Sequence, residues 1–190
     1  MRKIHRSKDN FIDNIFIDIG ELLCPLFKYF NFTPNMITGI NIICSLLCLY
    51  YLHIKNYNLC IIFLILTFLF DCTDGSYARE YNMETYFGDL LEHYTDYIFW
   101  LWLLYILIFN IPFINRIYFI VILLILSCIT LLHYGCVEHY NNAKLDINTQ
   151  LSNLIKLCPN KNYIKYTRLL GGGGPLILYI VLALKFYIKK

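Results

Sequence analysis

DCTDGSYAR, at residues 71–79, is followed after eight residues by GDLLEHYTD, at residues 88–96. Acids in each stretch are three or four positions apart, which is the spacing of one helix face. They are Asp71 and Asp74 in the first stretch, and Glu92 and Asp96 in the second. Apolar runs flank the pair on both sides, so the acids are expected at a membrane edge, where ionised side chains are costly and usually functional. The two stretches therefore predict two helix ends that carry a functional site.

The composition as a whole is that of an integral membrane protein. Of the 190 residues, 58% are hydrophobic, 17% aromatic and only 15% charged, whereas about a quarter of residues are charged in soluble domains. Four runs are near the roughly 20 residues that a spanning helix needs: Asn35–His53, Asn58–Phe70, Tyr97–Asn110 and Ile117–His133. A fifth run, Leu169–Leu184, is shorter. We expect an all-α, polytopic membrane helix bundle with five to six transmembrane helices.

Residues 1–33 are predicted to form an N-terminal interfacial segment that precedes a membrane domain of residues 34–190. Polar residues recur there at helical spacing, while apolar residues fill the other side, as in a helix lying in the interface plane. The polar residues are Asn14, Asp18 and Glu21. Pro25 is expected to end this helix. Thr33-Pro34 is expected to begin the first span, since proline is tolerated in a first helical turn.

The basic residues predict how the chain is oriented. With the N-terminus in the cytosol, most lysines and arginines of the N-terminal segment and of the loop after the fourth span lie inside, as the positive-inside rule requires. The acidic stretches then lie on the cytosolic face of a multi-pass protein.

The eight cysteines are not expected to form disulfides. Several fall in apolar runs, where a thiol behaves as a small hydrophobic group. These are Cys44, Cys48, Cys60 and Cys128. No two cysteines have the CxxC spacing of a zinc or redox site.

The converging acids indicate metal chemistry. Four carboxylates in a medium of low dielectric would repel one another unless cations lay between them. Mg²⁺ suits carboxylates combined with substrate phosphates, and a pair of such ions is the usual arrangement for displacement at phosphorus. Three further acids lie off the helix faces and are expected to be solvated: Glu80, Glu84 and Asp89.

Two glycines and an arginine accompany the acids. Gly75 and Gly88 each cost helix stability, about 1 kcal/mol relative to alanine, so the close approach of a backbone or ligand would account for them. The alternative is a frayed helix end. Arg79 is suited to bidentate contact with phosphate oxygens, and its alternative role is that of an ordinary inside-facing anchor.

The combined pattern resembles the signature of the CDP-alcohol phosphatidyltransferases, membrane enzymes that make phospholipids with release of CMP. The matching positions are Asp71, Asp74, Gly75, Ala78, Arg79, Gly88 and Asp96. At the remaining signature position the family has aspartate, and this chain has Glu92. Pro34-Asn35, followed by Thr38, is similar to the family's opening of the first span.

The resemblance implies roles for these residues. Asp71, Asp74 and Glu92 would hold two Mg²⁺ or Mn²⁺ ions, and Asp96 would contribute to the second metal and take the proton of the acceptor alcohol. The nucleotide would be contacted by Asn35, Thr38, Gly75 and Arg79, with Ala78 and Gly88 as close-packing residues. The implied partners are CDP-diacylglycerol or another CDP-alcohol, an alcohol acceptor and membrane lipid. A homodimer in an internal membrane such as the endoplasmic reticulum is expected, and no nucleic acid.

The acceptor alcohol is open between two branches of the family. Residues 85–96 resemble the phosphatidylinositol synthases, but Tyr97 stands where those enzymes have arginine. Residues 88–93 are also similar to the choline and ethanolamine phosphotransferases, which act on diacylglycerol. An inactive family member is possible as well, because Glu92 adds a methylene to the metal site. A small cation transporter is the hypothesis that lies outside the family.

Three remaining features have ordinary structural interpretations. His93 is expected to be an interfacial polar residue rather than a metal ligand. Glu138 and His139 are expected in a solvated turn after the fourth span. The family has six spans, and the region 144–168 is too polar to supply the sixth in full, although Leu151–Cys158 could form a short piece before Pro159.

Overall fold

The computed structural model describes residue 2 and residues 4–110, 113–142 and 150–171, and the regular elements within these ranges are all helical. Five long helices follow one another along the chain: α1 Phe11–Tyr29, α2 Pro34–His53, α3 Tyr57–Glu80, α4 Tyr86–Asn110 and α5 Phe113–Asn142. A 3₁₀ segment, Gln150–Leu157, and short helical turns up to Leu170 complete the described part. The 3₁₀ segment lies at the predicted short piece before Pro159.

Within the described residues, three helices are long and apolar enough to cross a membrane. They are α2, α3 and the part of α5 from Arg116 to Tyr140. Helix α4 carries the predicted run Tyr97–Asn110 but is not among the three, and its first turns hold the acidic stretch. The all-α membrane bundle is thus confirmed, while the fifth run lies almost wholly outside the described residues and the count of five to six spans stays a prediction.

The helices pack around α2 and α3. Helix α2 lies along α3 and also contacts α4, and α1 lies on α3. Their shared apolar core is a cluster of buried side chains: Cys48, Leu52, Cys60, Leu64, Phe68, Phe99 and Leu103. This core holds the ends of α3 and α4, and hence both acidic stretches, on one side of the bundle.

Three helices end in the same way, with a residue in the left-handed conformation. Asn31, Lys55 and Asn82 have φ angles of 55°, 61° and 53°. In each case the next amide bonds back to a carbonyl of the last helical turn, as in the Schellman motif. The prediction that Pro25 ends α1 is therefore wrong, because the helix runs through Pro25 and closes at Asn31. The predicted start of α2 is confirmed, with Thr33 as its N-cap and Pro34 in its first turn.

The polar side of α1 is covered by the chain that precedes it. Arg2 donates to Asn14 and pairs with Asp18, and Arg6 pairs with the other Asp18 oxygen at 2.8 Å. The outer side keeps large apolar residues exposed, among them Leu22, which is 78% exposed. An outward apolar face fits a helix at the membrane interface, while the division of the chain at residue 33 stays a prediction.

A disulfide joins the end of α5 to the segment after it. Cys136 and Cys158 are bonded, with their Cα atoms 5.0 Å apart, so the expectation that no cysteine is bridged is wrong. The described cysteines in the apolar runs are free thiols, as predicted. The two chain segments come together at Gly135, where any side chain would collide with the carbonyl oxygen of Leu154.

The prediction of a solvated turn at Glu138 and His139 is also wrong. Both residues belong to α5, which continues to Asn142, and Glu138 is only 1% exposed. The physical reason is that the 3₁₀ segment and the turns after it pack against this last part of α5.

Candidate active site

The two acidic stretches occupy neighbouring helix ends, as their spacing predicted. Asp71 and Asp74 lie in the last turns of α3, and Glu92 and Asp96 in the first turns of α4. A turn of five residues connects the helices, and the hydroxyl of Thr85 accepts a hydrogen bond from the Gly88 amide at 3.0 Å, which caps α4.

Three of the four predicted ligands come together. Each of Asp71, Asp74 and Glu92 offers a carboxylate oxygen, and these oxygens lie within 4.8 Å of one another. The buried Oδ1 of Asp71 has no hydrogen-bond partner among the described residues. Because hard divalent cations prefer carboxylate oxygens, an unpaired oxygen within a group of three acids fits a metal ion. The extra methylene of Glu92 does not keep its carboxylate out of the group.

Asp74 is held in place by two donors. The Thr38 hydroxyl donates to Oδ2 at 2.7 Å, and the Gly75 amide donates to Oδ1, also at 2.7 Å. The carboxylate is only 2% exposed and Thr38 only 3%. Thr38, predicted as a nucleotide contact, thus bonds directly to one of the three clustered acids.

Asp96 lies outside the three-acid group but beside it, since it lines a small cavity together with Asp71. Neighbouring carboxylates repel one another unless a proton or a cation lies between them. Sequence reasoning misses Asn41, which is only 1% exposed and lies three residues after Thr38, on the same face of α2.

The predicted nucleotide residues line one cavity, which is open on one side. Its wall includes Pro34, Asn35, Thr38, Asp74, Gly75, Ala78, Arg79, Met83, Glu84, Thr85, Gly88, Asp89 and Glu92. The cavity therefore places Asp74 and Glu92 beside Arg79, the only arginine of the signature.

Both signature glycines make room for a neighbouring side chain. A Cβ on Gly75 would lie 3.1 Å from Nη1 of Arg79, so the guanidinium lies against the Gly75 backbone. A Cβ on Gly88 would lie 3.1 Å from Oδ1 of Asn35, and here α4 approaches α2 closely. The groups that approach these glycines are side chains of the protein itself, whereas a backbone or a ligand was predicted.

A second, smaller cavity lies on the apolar side of the acids. It is lined by Leu64, Thr67, Phe68, Asp71, Asp96 and Trp100. Asp71 and Asp96 thus face a mostly apolar space, whereas Asp74 and Glu92 face the cavity that holds Arg79.

The other polar residues of the stretch fall largely at their expected places. The Nδ1 atom of His93 lies 2.8 Å from the backbone oxygen of Asp89, and His93 is not part of the three-acid group. Glu80 and Glu84 are exposed. Asp89 lies at the cavity wall, and 38% of its side chain is exposed.

Comparison with known proteins adds to this geometry. The family model described as CDP-alcohol phosphatidyltransferase matches residues 31–183. The chain belongs to the CDP-alcohol phosphatidyltransferase family.

A protein of Aquifex aeolicus (strain VF5), described only as uncharacterized, is similar to this member of the family. The two are 37% identical over 79 residues, a stretch that covers 40% of each chain. The match therefore spans two fifths of the length of that relative. No solved structure matches the chain.

Proposed function

We propose that the protein is an active CDP-alcohol phosphatidyltransferase that transfers a phosphatidyl group from CDP-diacylglycerol to an alcohol and releases CMP. The observation that carries this proposal is that Asp74 and Glu92, two of the three clustered acids, line one cavity together with Arg79. A diphosphate needs both, because cations neutralise its oxygens and arginine binds them in a planar, bidentate way.

Separate sets of residues are proposed to bind the nucleotide and to hold the metal ions. The CDP moiety binds in the larger cavity, with Arg79 directed at its phosphates and Asn35, Thr38 and Gly75 along the wall. Asp71, Asp74 and Glu92, with a contribution from Asp96, are proposed to hold two Mg²⁺ or Mn²⁺ ions, which when bound stabilise negative charge on attacking and leaving oxygens. Gly88 allows α4 to approach Asn35 of α2 closely, and Ala78 lines the nucleotide cavity.

The chemical step is a displacement at phosphorus. The oxygen of the acceptor hydroxyl forms a bond to the phosphorus that bears the diacylglycerol moiety, and the bond from that phosphorus to CMP breaks. Asp96 takes the hydroxyl proton as general base. The position of Asp96 supports this role, since it lines the second cavity beside Asp71 and is absent from the wall of the nucleotide cavity.

The acceptor is tested by supplying purified protein with Mg²⁺ or Mn²⁺ and each candidate pair of substrates. CDP-diacylglycerol with inositol is the first pair, and CDP-choline or CDP-ethanolamine with diacylglycerol is the alternative. CMP release with the first pair and loss of release in Asp96→Asn are expected. Release only by Glu92→Asp, and not by the wild type, would identify an inactive family member instead.

Two features bear on the side of the membrane at which this site lies, and they favour different compartments. The basic residues favour a cytosolic site, in an internal membrane such as the endoplasmic reticulum. The disulfide between Cys136 and Cys158 favours an oxidising compartment. We propose the cytosolic orientation and a homodimer. Labelling of an engineered cysteine at exposed Glu84 by an impermeant reagent in sealed, outside-out cells tests the orientation, since a cytosolic site leaves it unlabelled.

A further inference from the structure

The segment after α5 ends in short helical turns with three different faces. Residues 161–170 run through a 3₁₀ turn, one α turn and a second 3₁₀ turn. Side chains three positions apart lie above one another in such turns. Ile164 and Thr167 form the buried face, which packs toward the bundle. The buried face fixes the segment on the protein and leaves the other two faces outward.

One outward face is apolar. It consists of Tyr163, Tyr166 and Leu169, each of which is between 46% and 69% exposed. The two tyrosine rings lie 6.2 Å apart. Tyrosine is enriched where proteins meet the membrane–water boundary, because its ring is apolar and its hydroxyl is polar. A row of three such side chains turned away from the protein is typical of a surface that binds a partner or a membrane.

The other outward face is basic. Lys165 and Arg168 are both exposed and lie three positions apart. The Lys165 ammonium lies 4.7 Å from the centroid of the Tyr166 ring, so its charge is beside the apolar face. Residues 150–171 contain four basic side chains and no acidic one. The charge of the segment therefore favours an anionic partner.

The segment is held where a membrane-crossing helix ends. The apolar part of α5 runs to Tyr140, and the disulfide ties Cys158 to Cys136 near that end. Asn10, the N-cap of α1, donates through its side-chain amide to the carbonyl of Leu169 at 3.1 Å. The segment thus lies beside the start of α1, which has an outward apolar face of its own. Both elements belong at the same membrane boundary.

From these faces we infer that residues 161–170 form a docking surface for anionic phospholipid head groups of the membrane that holds the protein. Lys165 and Arg168 pair with the phosphates of the head groups, and the apolar row inserts beside them. This surface is separate from the nucleotide cavity, whose wall contains none of its residues. The inference does not depend on the proposed function.

Hydrogen exchange of the purified protein in lipid nanodiscs tests the docking surface. Mass spectrometry follows the amides of residues 161–170 in phosphatidylcholine discs with and without phosphatidylglycerol, since docked amides exchange only when the segment leaves the bilayer. Each basic residue near an anionic surface strengthens binding about fivefold. Exchange should therefore slow by about 25-fold with phosphatidylglycerol in the wild type, and by only about fivefold in Lys165→Gln.

Two further variants separate the charged face from the apolar one. Lys55→Gln is the matched control, because it removes one exposed lysine from the turn between α2 and α3 and should keep the slowing of the wild type. Leu169→Gln should speed exchange by about tenfold in both kinds of disc, since burial of an apolar side chain does not depend on the charge of the head groups.

Equal exchange in the two kinds of disc would overturn the inference, and so would a wild-type response of Lys165→Gln or of Leu169→Gln. An effect of Lys55→Gln as large as that of Lys165→Gln would also overturn it, because net charge rather than this surface would then be responsible. The same holds if inorganic phosphate slows exchange equally in a neutral detergent, since the segment would then bind free phosphate and not a lipid surface. None of these measurements requires catalysis.

Discussion

Replacing Thr38 by valine removes one hydroxyl from the candidate metal site and changes little else. Valine has almost the same shape as threonine, and the site is closed, since Thr38 is 3% and Asp74 2% exposed. The variant loses the 2.7 Å hydrogen bond to Oδ2 of Asp74, while the Gly75 amide continues to hold Oδ1. The carboxylate then keeps its charge but loses one of the two donors that fix it.

The size of the effect follows from the kind of bond that is lost. A hydrogen bond to a charged group contributes about 1.5–3 kcal/mol, which corresponds to about a 10- to 140-fold change in an equilibrium constant. Because Asp74 is proposed to bind metal through this carboxylate, the Mg²⁺ concentration for half-maximal CMP binding should rise by about that factor. Calorimetric titration of CMP at several Mg²⁺ concentrations measures the change.

Thr130→Val is the matched control for this experiment. The Thr130 hydroxyl bonds to the Leu126 carbonyl of its own helix, α5, at 2.9 Å, and Thr130 is in the wall of neither cavity. This variant should bind CMP with the Mg²⁺ dependence of the wild type. The reasoning would be refuted if folded Thr38→Val protein also showed wild-type Mg²⁺ dependence.

Three further substitutions have expected outcomes. Gly75→Ala places a Cβ 3.1 Å from Nη1 of Arg79 and should displace the guanidinium. The KM for the CDP-linked donor should then rise about tenfold, because the contact between Arg79 and the phosphates is lost. An unchanged KM would contradict this placement of the arginine. Glu92→Gln keeps the side-chain shape but removes a charge from the three-acid group. CMP release should therefore become undetectable at any Mg²⁺ concentration. Substantial residual release would exclude Glu92 as a metal ligand. Cys136→Ser removes the disulfide to Cys158, which lies 22 positions further along the chain. The free energy of unfolding, measured by denaturation in detergent without reductant, should fall by about 3 kcal/mol. Equal stability of the variant and the wild type would argue against the disulfide.

The parts of the site that depend on local spacing are predictable from the sequence. Acids three or four positions apart necessarily share a helix face, so the pattern of residues alone defines the acidic faces at the ends of α3 and α4. The start of α2 is likewise predictable, because Thr33 and Pro34 act within one turn. The three-acid group forms once the end of α3 and the start of α4 lie side by side, which is the one further condition.

Other features depend on how distant segments meet, and local patterns do not predict them. Asn41 lies in an apolar run, and its burial to 1% exposure becomes visible only when the helices pack. The bridge of Cys136 depends on the chain after α5 folding back past Gly135. For α1, proline is a misleading local signal, because Pro25 removes one backbone donor while Asn31 supplies the turn that closes the helix.

Binding of CMP to the purified protein, measured with and without divalent metal, is the sharpest test of the nucleotide site. We expect CMP to bind in the presence of Mg²⁺ or Mn²⁺, a chelator to abolish binding, and added metal to restore it. CMP binding of equal strength with and without metal, or no binding under either condition, would contradict the claim that the three clustered acids and Arg79 form a metal-dependent nucleotide site.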